Sequence, residues 1–178
     1  MSEPSIFKAW ENFYVITGSS SAALTGLVFI VVTLSADLRR RLGARPTSEG
    51  TSIFSSPTVV HFCAAFFVSG VYSAPWRAPL YAGILIGVAG LCGVVYSISI
   101  GYRARKLANY NADRADWIWF IILPCLAYLT LCVAGFALQS FPPGASYQIA
   151  AATMLLILIG IHNAWDVVTY LATSSPEE

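Results

Sequence analysis

The sequence has few charged residues, and this shortage excludes an ordinary soluble domain. Of its 178 residues only 11% are Asp, Glu, Lys or Arg, whereas 57% are hydrophobic. A soluble globular domain carries about 25% charged residues. The formal net charge is only +1, so no excess of positive charge indicates nucleic acid as a partner. We therefore expect a membrane protein whose first partner is the lipid bilayer.

The sequence signatures of enzymes and cofactor sites are also missing. The four cysteines form no C-x-x-C pair, and none accompanies a histidine at zinc-finger spacing. There is no Gly-rich phosphate loop, no G-x-S-x-G and no H-E-x-x-H. The sequence therefore predicts neither a catalytic centre nor a cofactor, and nothing in it points to an enzyme that acts on lipid.

What the sequence does contain is five apolar runs. A helix needs about 20 apolar residues to cross a bilayer. The runs cover Phe13–Ala36, Pro57–Ser73, Leu80–Tyr102, Trp117–Gln139 and Gln148–Ala172. We predict an all-α integral membrane protein with five transmembrane helices in a single domain, residues 1–178. In the four-span alternative, the short second run would re-enter the membrane or lie flat on it.

Local signals refine the second and fourth runs. Ser55 and Ser56 before Pro57 are typical of a helix start, because a hydroxyl caps the first turn and proline suits it. The short loop after the second run predicts that the second and third helices form an antiparallel hairpin. Pro124 lies inside the fourth run and predicts a kink there.

The distribution of positive charge predicts the orientation. Eight of the ten Lys and Arg residues lie in the loops after the first and third runs, and only Lys8 and Arg77 lie elsewhere. By the positive-inside rule these two loops face the cytoplasm. With five spans, the N-terminus is then outside and the C-terminus is cytoplasmic.

Small residues recur at helical spacing in two of the runs, where another helix can pack closely. They are Gly18, Ala22 and Gly26 in the first run and Gly83, Gly87 and Gly90 in the third. The G-x-x-x-G match in the third run indicates close contact within one subunit or between two. We expect a homo-oligomer, because one bundle of this size has little room for both a pathway and its walls.

Three ionisable side chains lie well inside the apolar runs, namely His61, His162 and Asp166. Such groups are rare within membranes, and most of them have a partner or a function. His162 and Asp166 are four residues apart and share a helix face, which Thr169 continues. With a rise of 1.5 Å per residue, His61 comes near the depth of Asp166 and His162 a turn deeper. We predict that the three form a cluster, with Asn163 and Thr169 beside it.

The cluster leads to one functional prediction and two alternatives. A carboxylate beside two imidazoles can hold and pass on protons or bind a cation, which predicts a small oligomeric channel or transporter for protons or cations. The first alternative is a non-transporting interaction or assembly subunit of a membrane complex, in which Asp166 only fixes helix register. The weaker alternative is a haem- or metal-binding redox protein with His61, His162 and Asp166 as ligands. No motif supports a metal site, so none is predicted.

Four stretches of the sequence are distinctive. They are YVITGSSSAALTGLVF in the first run, SSPTVVHFCA at the start of the second, SAPWR after it and IGIHNAWDVVTYL in the fifth. Together they resemble an uncharacterised family of small bacterial multi-pass membrane proteins, and the resemblance extends over nearly the whole chain. It implies a bacterial cytoplasmic membrane as the location, and it implies no activity, substrate or site residue.

Overall fold

The computed structural model describes residues 6–41, 50–106 and 117–173, and within these residues it is helical with no strand. A π-helical segment, Ile118–Ile122, leads directly into the fourth of the five helices. The helices are α1 (Ile6–Arg41), α2 (Gly50–Ser73), α3 (Pro79–Lys106), α4 (Leu123–Ala137) and α5 (Pro142–Thr173). The all-α prediction is confirmed.

Four of the helices are long and apolar enough to cross a membrane, and the second contains a shorter apolar segment. The four candidate spans are Ile6–Leu34, Pro79–Arg103, Ile118–Ala137 and Pro142–Asp166, and the shorter segment is Pro57–Ser73. These lengths and compositions make the chain a multi-pass membrane protein.

The helix α5 lies at the centre of the bundle. It contacts α1, α2, α4 and the π-helical segment, whereas α1 packs mainly on α2 and α3 mainly on α4. The helices therefore follow the order α1, α2, α5, α4, α3 across the bundle. In the most apolar stretch of each candidate span, 56% of the residues are buried in α5 but only 17% in α1. The most polar of the predicted spans is thus also the most enclosed.

Glycines bring α3 and α4 into close contact. A Cβ at Gly83 would lie 2.5 Å from the carbonyl oxygen of Gly135, and one at Gly90 would collide with the backbone of Cys132. A Cβ at Gly87 would come within 2.9 Å of the Phe136 ring. The glycines of the third run are therefore used for packing inside one chain, which is one of the two arrangements that the G-x-x-x-G match allows.

The glycine stripe on α1 is only partly covered. At Gly18 an added Cβ would lie 2.9 Å from the Cβ of Ser69, and the hydroxyl of Ser69 is hydrogen-bonded to that of Thr17 over 3.0 Å. Ala22 is exposed, and nothing lies within 4 Å of a Cβ added at Gly26. The described chain thus uses one end of this stripe against α2 and leaves the other end on the surface.

Two local predictions need correction. The helix α2 begins at Gly50, so Pro57 lies inside it rather than at its first turn. The segment between α2 and α3 is short, as expected, but these two helices make few contacts with each other. A tight connection fixes only the neighbouring helix ends. Instead, α3 packs on α4, because its glycines allow the two backbones to approach closely.

Pro124 shapes the start of α4. Proline has no N–H to donate and its ring crowds the preceding turn, so the regular hydrogen-bond pattern cannot continue through it. Just before it, the N–H of Leu123 donates to the carbonyl of Ile118, which is the wider spacing of a π-helix. At the position where the sequence predicts a kink, the structure thus has a π-helical segment.

Aromatic rings join α1, α2 and α5 at the end of the bundle opposite to His162. Tyr14 and Tyr72 are buried and stacked with their ring centres 4.2 Å apart. The hydroxyl of Tyr72 donates to Ser146 Oγ over 2.7 Å, and Ser146 in turn donates to the carbonyl of Pro142 over 2.7 Å. The bond between Tyr72 and Ser146 ties the C-terminal end of α2 to the N-terminal end of α5.

The seam between α3 and α4 gives a stability prediction. Gly90→Val should lower the free energy of unfolding by about 1–3 kcal/mol, because overpacking at a closed contact pushes the two backbones apart. Gly26→Val, the same substitution at an open position, should leave stability nearly unchanged. Thermal unfolding in detergent, followed by circular dichroism, compares the two. Equal midpoints for both variants would mean that the seam is not closed.

Candidate functional site

His162 and Asp166 form a pair on α5. His162 Nδ1 lies 3.2 Å from Asp166 Oδ2, which is an ion-pair distance, although the two are not aligned as a hydrogen bond. The side chains are 36% and 45% exposed. On its other side the His162 ring stacks on Trp119 with centres 3.8 Å apart and planes 7° from parallel. An imidazole between an indole and a carboxylate is held in one orientation while it stays accessible from the surface of the bundle.

Asn163 follows His162 in the chain, and its side chain projects about 100° farther round the helix. Its side chain is completely buried, and neither its amide nitrogen nor its amide oxygen has a hydrogen-bond partner within the part of the chain that the structure describes. An amide buried without partners costs about 1–3 kcal/mol. The surrounding helices therefore enclose a polar group whose hydrogen-bonding capacity they do not use.

His61 is buried on α2 and is bonded to α4. Its Nδ1 lies 2.9 Å from the hydroxyl of Tyr128. Its other nitrogen, Nε2, is buried and has no partner among the described residues. No hydrogen bond or ion pair joins His61 to His162 or Asp166, so the structure brings together two members of the predicted cluster and gives the third a different partner.

Tyr128 is the residue that sequence reasoning missed. Its ring fills the space beside Gly93 of α3, where any Cβ would collide with it. The available signal was its position: Tyr128 lies near the middle of the fourth run, whereas aromatic residues with a polar tip favour the membrane surface.

Two contacts establish how α2 and α5 lie against each other. The bond between Tyr72 and Ser146 joins them at one end, and Phe62 fills the space at Gly160 farther along. The helices are therefore antiparallel. One turn beyond the contact of Phe62 with Gly160, the helical repeat brings Thr58 of α2 level with Asn163 of α5.

This register defines a layer of three buried side chains with unused hydrogen-bonding atoms, His61, Thr58 and Asn163, which we call the unpaired polar layer. Thr58 Oγ1 is buried and, like His61 Nε2 and the Asn163 amide, has no partner in the described residues. The three lie within about one helical turn of one another along the bundle. Polar atoms that are buried in proteins are nearly always hydrogen-bonded. Among the described residues, the exceptions at this level are the atoms of these three side chains and His162 Nδ1, and the hydroxyl of Tyr14 is a further exception at the other end of the bundle.

The register also corrects the predicted depths. His61 is adjacent to Phe62, which packs at Gly160, so His61 lies at least as deep in the bundle as His162. The sequence estimate had His61 a turn shallower. That estimate measured depth from Pro57, but α2 begins two turns earlier at Gly50.

The remaining predicted residues lie at the edge of this site. Thr169 is on the turn after Asp166, and its hydroxyl donates to the carbonyls of Trp165 and Asp166 at 2.9 and 3.0 Å. Within residues 6–41, 50–106 and 117–173, no three His, Cys, Asp or Glu side chains are grouped so that they could hold a metal ion. The haem or metal alternative gains no geometric support and is not developed further.

The unpaired polar layer gives a second stability prediction. Asn163→Leu should raise the free energy of unfolding by about 1–3 kcal/mol, because it removes a buried amide without partners and keeps the same branching and the same number of heavy atoms. Thr153→Val is the matched control on α5, since the Thr153 hydroxyl is buried but bonded to the carbonyl of Ile149. Thermal unfolding in detergent measures both. A clear loss of stability in Asn163→Leu would show that Asn163 has partners after all.

Comparisons of the chain with protein-family models, with curated proteins and with solved structures find no match.

Proposed function

We propose that this chain is a small membrane transport protein that moves protons or a small cation past the unpaired polar layer. The observation that carries the proposal is the set of unused polar atoms there, namely His61 Nε2, Thr58 Oγ1 and both amide atoms of Asn163. Unsatisfied polar groups inside a membrane are expensive, and those that persist commonly line an ion or proton path. A water or a small cation held by these atoms would satisfy them.

The pair on α5 provides the entrance to this path. His162 and Asp166 are partly exposed, and Asn163 is adjacent to His162 in the chain but faces the interior. A proton taken up by the carboxylate and imidazole can then pass inward through water bound at Asn163 and Thr58. His61 is the next acceptor, because its Nε2 is unused while its Nδ1 is engaged.

The bond between His61 and Tyr128 suits a relay. Imidazole can take a proton at one nitrogen and release one at the other, so each transfer exchanges its two tautomers. When Tyr128 donates to Nδ1, the proton is on Nε2, and when Nδ1 donates to Tyr128, Nε2 can accept. The 2.9 Å separation allows both states without movement of the helices.

Beyond Tyr128 the path meets a layer of mostly apolar side chains. Val68, Leu131, Ile149 and Leu156 are fully buried there. The buried hydroxyls at the same level, on Thr17, Ser69 and Thr153, are already hydrogen-bonded. Among the described residues, no hydrogen bond links the unpaired polar layer to Tyr72 and Ser146 at the other end. Transport therefore requires a conformational change or a transient water chain, which fits a gated pathway better than an open pore.

The proposal includes five crossings, with the N-terminus outside and the C-terminus in the cytoplasm of a bacterial cell. The support for a crossing by α2 is its antiparallel contact with α5 from Thr58 to Tyr72, a length of about 21 Å at the helical rise. A helix lying flat on the membrane would not follow α5 over that distance. The orientation rests on the positive charge after the first and third runs, and the choice of membrane rests on the family resemblance.

Ion flux from liposomes tests the transport proposal. Purified protein is reconstituted with a pH-sensitive dye inside and with separate proton, sodium and potassium gradients. Asn163→Leu and Asp166→Asn should each lower the flux by about tenfold or more, since each removes a polar group from the path. Thr153→Val should retain the flux of the unchanged chain, because its hydroxyl is already bonded within α5.

The result also separates the transport proposal from the main alternative. A flux that is unchanged in Asp166→Asn would exclude a path beside the α5 pair. No flux under any gradient, from protein that is folded, would favour the interaction or assembly subunit, and the next experiment would be to purify the chain with its natural partners.

Self-association belongs to the same proposal and has its own test. Ser19, Ala22 and Gly26 are exposed at helical spacing on α1, where a second copy could pack closely. Gly26→Leu should therefore shift the oligomer to the monomer in sedimentation measurements in detergent while the helix content stays unchanged. Gly18→Leu should instead lower thermal stability, because Gly18 contacts Ser69 within the chain. An oligomer that survives Gly26→Leu would place the interface elsewhere.

A further inference from the structure

A groove runs between α1 and α5 with α2 at its base. It has a volume of about 240 Å³. Leu24, Val28 and Val32 line it on α1, and Ala164 and Val168 line it on α5. These side chains are apolar, and Thr58 and Phe62 of α2 form the base. The groove opens sideways on the surface of the bundle. It is separate from the His162–Asp166 pair.

The dimensions of the groove fit one lipid chain. From Leu24 to Val32 the groove follows α1 for about 12 Å, close to the roughly 15 Å of hydrocarbon in one leaflet. The groove therefore has the length of the acyl chain that a lipid places in one leaflet.

The charge next to the groove identifies the lipid class. The helix α1 continues beyond Val32 to Arg41, so the consecutive residues Arg39, Arg40 and Arg41 follow on the same helix about 10 Å farther on. An acyl chain in the groove would have its headgroup at this level. Clusters of basic residues at the edge of a membrane span attract anionic lipids.

From these observations we propose that the groove between α1 and α5 binds an anionic phospholipid, with one acyl chain along Leu24–Val32 and its headgroup at Arg39–Arg41. The site joins the outermost helix to the central one. Because α1 has little other contact with α5, the bound lipid fills the gap between them. This inference does not depend on transport.

The experiment compares two lipids that differ only in headgroup charge. Delipidated protein in detergent is titrated with phosphatidylglycerol or phosphatidylcholine of identical chains, and bound lipid is counted by native mass spectrometry. The unchanged chain should bind phosphatidylglycerol about tenfold more tightly. Replacing Arg39, Arg40 and Arg41 together with Gln should remove this preference but retain the binding of both lipids.

A second pair of variants tests the groove itself. Ala164→Phe fills the groove and should reduce the binding of both lipids about tenfold, whereas Ala151→Phe makes the same change at an exposed position of α5 outside the groove. The second variant should bind as the unchanged chain does. Equal affinity for the two lipids, or binding that survives Ala164→Phe, would overturn the proposal. Loss of an oligomer in Ala164→Phe alone would overturn it as well, since the groove would then hold a second copy.

Discussion

The antiparallel contact between α2 and α5 is the constraint on which the rest of this structure depends. At one end the hydroxyl of Tyr72 donates to Ser146, and in the middle the absence of a side chain at Gly160 admits the ring of Phe62. These two contacts bring Thr58 level with Asn163 and turn His61 towards α4. A side chain at Gly160 would separate the helices and, with them, the unpaired polar layer.

The polar interior of the bundle reduces its free energy of unfolding. Three buried side chains with unused polar atoms lower the stability of the folded chain. Close backbone contact along α3 and α4 and the stacked rings at the opposite end supply packing that offsets this loss. The close packing of α4 on α3 extends to the unpaired polar layer, because Tyr128 fills the space beside Gly93 and is bonded to His61. The closely packed pair of α3 and α4 therefore borders a layer whose remaining polar atoms have no partner among the described residues.

The sequence allowed correct predictions of features that depend on a single helix. It did not allow prediction of contacts that depend on how two helices pack. The all-α class and the pairing of His162 with Asp166 follow from apolar length and from a spacing of four residues. The partner of His61 does not, because Tyr128 lies 67 residues away and the two meet only through the packing of both α2 and α4 on α5. The packing of α3 on α4 could not be predicted from the sequence either. In lipid, apolar side chains favour no particular neighbour, so a few glycines determine which helices pack together.

The π-helical segment before Pro124 determines the angle around the helix axis between side chains at its two ends. In regular α-helix, nine residues turn the chain by about 900°, so Trp119 and Tyr128 would point in opposite directions. The wider turn at Ile118–Ile122 absorbs about one residue, and both rings face inward, one on His162 and the other on His61. Rewinding this segment as α-helix would turn Trp119 through about a quarter of a circle and leave Tyr128 in place. The winding of this segment therefore determines whether the indole of Trp119 lies against the imidazole of His162.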